Sequence, residues 1–172
     1  MRLPPLPADE WDDRSRQALK GLLPRDRRNP EGAGPAMSTM VRHPDLLEAF
    51  LEFGVYLLFK STLPARLREL AVLRVAHRAN CAYEWEHHLE IAEKSGLTPA
   101  DVAAAQSGAC ADPFDQTVLT AVDELAEHTC LTDATWAALR DHLDERQAMD
   151  FVFTVGGYTT LAMAFNTFGV KP

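Results

Sequence analysis

Apolar residues recur at intervals of three and four along the whole chain, and no segment alternates β-branched residues between hairpin dipeptides. The pattern predicts an all-α fold. A short helix is expected over residues 9–20, followed by residues 23–40, whose Pro, Gly and Arg read as the one long surface loop. Pro44 suits the first turn of a helix reaching residue 59, with Leu46, Leu47, Phe50, Phe53, Leu57 and Leu58 as its apolar side. Pro64 opens another in the same way, over residues 65–79. Asn80 then reads as the N-cap of a helix over 81–94, closed by Gly96. Thr98-Pro99 with Asp101, Asp112-Pro113, and Thr132 mark three further starts, with ends expected near residues 108, 129 and 143. Asp144 and Gln147 form a capping-box pattern ahead of a long apolar helix to residue 168.

Residues 151–170 of that last segment carry no charge. Thr154, Thr159, Thr160, Thr167, Asn166 and three glycines weaken its transfer into hydrocarbon. It is expected at the middle of a bundle or in a subunit interface rather than across a membrane. The 172 residues fit a single domain, and no internal repeat divides them. A net charge of -8 repels phosphate backbones and anionic lipid, so neither nucleic acid nor a membrane surface is an expected partner. Cys81, Cys110 and Cys130 are widely spaced, with no C-x-x-C pair and no signal-peptide pattern at the charged, Pro-rich N-terminus. A reducing cytoplasm is the expected compartment.

The candidate chemistry lies in the helix that begins at Cys81. At 100° per residue, Ala82, Trp85, Leu89, Ile91 and Ala92 share one sector, while Tyr83, Glu86, His87, Glu90, Glu93 and Lys94 fall opposite. Glu84 and His88 sit in the apolar sector, in line with Cys81. A carboxylate placed among apolar groups needs a partner, and His88 at i+4 is in reach. Such a pair suits general acid and base catalysis and needs no cofactor. The helix N-terminus is expected to favour a Cys81 thiolate and to keep Glu84 ionised. Glu69, on the apolar side of the preceding helix, also needs a partner. Arg74 and Arg78 are candidates to pair with it, to pair with another helix, or to hold an anionic substrate. His77, Cys81, Glu84 and His88 recur at helical spacing, yet a break at Asn80 takes His77 out of line, so no metal site is expected.

The run LRELAVLRVAHRANCAYEWEHHLEIAEKSGLT, with Glu69, Cys81, Glu84 and His88, resembles the carboxymuconolactone decarboxylase and alkyl hydroperoxidase D superfamily. Members carry a Glu, eleven further residues, then a Cys or small residue opening a helix whose motif ends in His. Likeness is strongest over residues 62–98, and weaker in the flanking helices and in the segment VGGYTTLAMAFNTFGV. In the hydroperoxidase branch a second cysteine stands where this chain has Glu84, so the resolving thiol is missing. The decarboxylase branch resembles this chain in having Glu four residues before the His.

The resemblance implies an alkyl hydroperoxidase D-like helical bundle that assembles as a trimer or hexamer, with a pocket near subunit contacts and a small-molecule substrate. It implies decarboxylase-like proton-transfer chemistry on a small acidic or lactone-type molecule, with His88 as the acid, Glu84 orienting it and Arg74 or Arg78 meeting the anion. Two alternatives stand beside it. One is a single-cysteine thiol peroxidase in which Cys81 attacks peroxide while His88 and Glu69 move the proton. The other is a noncatalytic binding or assembly module on the same scaffold, in which Glu84 and His88 only fix packing, Cys81 is a small buried hydrophobe and Glu69 is a structural bond to an arginine or between subunits.

Overall fold

The computed structural model describes residues 1–172, and its regular structure is entirely helical, as the periodicity predicts. The chain divides into two compact units, one made of Met1–Lys60 with Ala164–Pro172, the other of Ser61–Met163.

The first unit holds α1 (Asp13–Ala18), α2 (Pro30–Met40) and α3 (Pro44–Val55). Asp12 caps α1 by accepting from the Ser15 backbone N–H at 2.7 Å and from its hydroxyl at 2.8 Å. Trp11, Ala18, Leu19, Val41, Leu47 and Leu51 form the unit's core. Residues 23–40 are not one long loop, because their second half is α2. Asn29 caps it by accepting from the Gly32 N–H at 2.9 Å, and Pro30 takes the first position. Gly34 at φ 68° breaks its helical geometry, and Pro35 follows it directly. Composition there reads as loop, but the cap-and-proline start signal prevails. The apolar side expected for α3 is only partly covered, since Leu47 and Leu57 are buried while Leu46 and Phe53 are exposed. A π-helical turn over Tyr56–Lys60 ends it.

The second unit holds α4 (Ala65–Arg78), α5 (Ala82–Lys94), α6 (Pro99–Ser107), α7 (Pro113–His128) and α8 (Asp133–Arg140). It also takes α9 (Glu145–Phe168) as far as Met163. Its centre is α4, in which every residue from Leu67 to Ala76 is buried. Helices α5, α6 and α7 pack around it, and Leu70, Leu73, Leu119 and Phe151 sit at the heart of the core. The expected caps are in place: Thr98 and Asp101 complete a capping box, and Asp144 and Gln147 exchange hydrogen bonds of 2.8 and 3.0 Å. By length and hydropathy α9 could cross a membrane, but half of its most apolar window is buried within the protein. Near its start the buried Asp150 accepts from the Thr62 N–H at 2.6 Å and from its hydroxyl at 2.7 Å.

The corner between α4 and α5 differs from the expectation. Asn80 does not cap α5; it stands in the left-handed region at φ 49° and closes α4. Its N–H donates to the His77 carbonyl at 3.0 Å, and the Cys81 N–H donates to the Ala76 carbonyl at 2.9 Å, a Schellman closure. Cys81 is then the N-cap of α5, without a side-chain cap bond. Asparagine suits both an N-cap and a left-handed closing position, so sequence alone chose the wrong one.

Candidate active site

Because α4 is enclosed on all sides, its polar residues must find partners inside the protein. Glu69 is fully buried and finds two. Arg68, the residue just before it, donates from Nε to Glu69 Oε1 at 2.8 Å, and His88 Nδ1 lies 2.7 Å from Oε2. A carboxylate can only accept in this arrangement, so Nδ1 carries a ring proton and Nε2 is left to face outward from the pair. Glu84 Oε2 lies 3.4 Å from Nε2, beyond the length of a strong hydrogen bond. The Tyr158 ring of α9 stands edge-on to the imidazole, with centroids 4.9 Å apart and planes at 88°.

The projection of α5 is reproduced for its polar stripe but not throughout, since Ala82, expected to face the core, is exposed and Trp85, Leu89 and Ile91 are half-buried. Its buried residues are Glu84, His88 and Ala92, and Cys81 ahead of them is buried too. Glu69 joins this stripe from the facing helix. It occupies the orienting position that the sequence had given to Glu84, while Glu84 sits at the other ring nitrogen. Arg68 and Tyr158 were not anticipated. Arg68 was legible only as the neighbour of a carboxylate needing a partner, and Tyr158 lies in a segment that reads as plain core.

Burial also overturns the expected charge states. Desolvation pushes the Glu84 carboxyl up to about 7, against the pull of His88 and with the push of Glu69. A helix N-terminus contributes about 0.3–1 kcal/mol to an exposed anion, whereas burying a carboxylate costs several, so burial wins. The Cys81 thiol is likewise raised, first by burial and also by Glu84, although the N–H groups of Glu84 and Tyr83 act the other way. It is therefore a protonated thiol at neutral pH, not the activated thiolate expected at a helix start.

The sign of the Glu84 shift has a consequence for stability. Its folded pKa lies above the ordinary carboxyl value of 4.5, so the folded chain keeps a proton that the unfolded chain has lost. Stability from this group is complete below pH 4.5 and falls as pH rises towards 7. At roughly 1.4 kcal/mol per unit, the loss is of the order of a few kcal/mol. Urea denaturation across this range should show wild type losing stability relative to Glu84→Gln as the pH rises.

The structure does not bring Arg74 or Arg78 to this cluster. Arg74 donates from Nε and Nη2 to Asp123 at 2.7 and 2.8 Å, and from Nη1 to the carbonyls of Ala105 and Gln106 at the end of α6. Arg78 pairs with Asp123 at 3.2 Å and Glu127 at 2.9 Å. Both line a shallow cavity of about 340 Å³ with His77, Asn80, Gln106 and Ser107. Glu69, expected to meet one of these arginines, is bound to Arg68 instead.

Residues 44–127 match the sequence profile of the carboxymuconolactone decarboxylase family. No curated protein matches the chain. Among solved structures, the fold is similar to an uncharacterised peroxidase-related protein from Ralstonia eutropha JMP134, described as an alkylhydroperoxidase AhpD core. The TM-score is 0.79 over 100% of this chain and 93% of that one, at 20% identity. It is also similar to a protein of unknown function from Agrobacterium tumefaciens associated with AhpD-type antioxidant defence. That match has a TM-score of 0.67 over 76% of this chain and 93% of the other, again at 20% identity. At these identities the likeness is one of fold.

Proposed function

We propose that this chain, whose residues 44–127 match the carboxymuconolactone decarboxylase family profile, is a member of that family and an enzyme that moves protons to or from carbon in a small acidic or lactone-type substrate. The observation that carries this function is the buried imidazole of His88, fixed at Nδ1 by Glu69 and facing a second carboxyl, raised to about 7, at Nε2. A group titrating near neutrality can both give and take a proton under working conditions.

On a carboxylate conjugated through carbon to a lactone carbonyl, the C–C bond breaks, carbon dioxide leaves, and the electron pair remains as a dienolate. A proton held by His88 Nε2 and Glu84 then forms the new C–H bond, and solvent replaces it. Glu69 holds the ring in one tautomer throughout. Burial of Cys81 and its raised thiol weigh against peroxide chemistry, and Cys110 and Cys130 are unpaired thiols outside the cluster.

Carboxymuconolactone in deuterated water is the test. Release of carbon dioxide with deuterium at the product carbon is expected, and Cys81→Ser should retain it. Peroxide-dependent sulfenic acid at Cys81, with peroxide consumption lost in Cys81→Ser, would establish the thiol peroxidase instead. No turnover of either substrate would leave a noncatalytic scaffold.

The same function carries an assembly, a homo-oligomer of three or six copies. It is supported by the outer face of α9, where Met149, Phe153 and Met163 are each more than half exposed and recur with Gly156 and Thr160 at alternating steps of four and three. That spacing makes a seam for another helix. Sedimentation should show the Phe153→Glu, Met163→Glu double variant as a helical protein of lower mass than wild type. Three unpaired cysteines suit a reducing cytoplasm.

A further inference from the structure

Four arginines project from α4, and in three of them both Nη groups are held by protein acceptors, although the buried Arg78 Nε has no partner. Arg66 binds Asp115 and Asp101, Arg74 binds Asp123 and two carbonyls, and Arg78 binds Asp123 and Glu127. Arg68 is different. Only 9% of its surface is exposed, yet of its five N–H donors one alone is used, Nε to Glu69. Both Nη groups make no hydrogen bond. The fully buried side-chain atoms without a partner are Arg78 Nε and Thr154 Oγ1, so the Arg68 Nη groups reach solvent-accessible space with four donors unused.

We infer that Arg68 is the carboxylate-binding cation of the site, its two Nη groups gripping a substrate carboxylate beside His88. This assignment rests on the proton-transfer function proposed above and names its substrate class. The free edge of a guanidinium matches a carboxylate through two parallel hydrogen bonds, and Nε on Glu69 fixes the direction of that edge. Burial, with Glu69 and Glu84, holds the Tyr158 hydroxyl well above the usual phenol range, Arg68 is near enough to oppose this in small part, and Tyr158 packs on the His88 ring.

Muconolactone, a monocarboxylate, and its uncharged methyl ester distinguish the possibilities by titration calorimetry. Wild type should bind the acid at least about tenfold more tightly than the ester. Arg68→Met should erase that preference, Arg68→Lys should keep part of it, and Arg78→Met should leave it whole. Equal binding of acid and ester to wild type, no binding of either in the millimolar range, or an acid preference that survives Arg68→Met overturns the assignment. The ester comparison on wild type needs no variant to fold. Failure of the chemistry looks different: acid bound through Arg68 without deuterium reaching carbon sinks the proton-transfer function and leaves the binding assignment standing. Equal exchange on acid and ester does the reverse.

Discussion

Replacing His88 with alanine should slow carbon protonation by about 10²–10⁴-fold, the contribution of a positioned general acid or base. The loss should fall on kcat, because the imidazole is asked to act on the reacting carbon while Arg68 retains the carboxylate. Glu84→Gln should cost less, since His88 keeps its bond to Glu69, but it should remove a limb near pH 7 from the rate profile. Deuterium incorporation measured by mass spectrometry against pH reads both effects. A His88→Ala protein that incorporates deuterium at the wild-type rate would remove the imidazole from the chemistry. Partial rescue by added imidazole would place the missing proton carrier in the vacated space.

Glu69→Leu should destabilise the fold by about 3–5 kcal/mol, the cost of breaking a buried pair by removing one member. The substitution leaves the Arg68 charge and the His88 Nδ1 proton without an acceptor in a helix where every neighbouring residue is buried. Adding Arg68→Met should recover much of the loss, because no unpaired charge then remains, and the non-additivity measures the coupling. Urea unfolding with an unchanged m value checks this; an m value that changes would mean the folded state itself had altered. Activity must stay absent in the recovered protein, which separates the structural from the chemical share of Glu69.

What could be read from the sequence was local. Pro-led starts at Pro44, Pro99 and Pro113 and capping residues such as Thr98, Asp112 and Asp144 fix their helices because each satisfies orphan backbone groups within a few residues. The inward direction of Cys81, Glu84 and His88 follows from 100° per residue alone. Partner choice was not local. Arg68 and Glu69 diverge by one helical step and do not face each other by projection, yet a long flexible side chain closes the gap once solvent is excluded. Tyr158 reaches His88 from seventy positions along the chain, a contact that only packing can specify. The charge states of Cys81 and Glu84 were misjudged for the same reason, since a short-range dipole is visible in sequence and the depth of burial is not.

The tight corner at Asn80 and Cys81 gears one helix to the other. Inserting a single residue there would turn α5 by about 100° and swing Glu84 and His88 away from Glu69 together. Deleting one would rotate them the opposite way. Loop lengths elsewhere can drift while the helices still stack, but the count of residues from Glu69 to His88 decides whether those two side chains meet. Redesign of this scaffold for other substrates should therefore begin at the walls around Arg68 and leave that interval untouched.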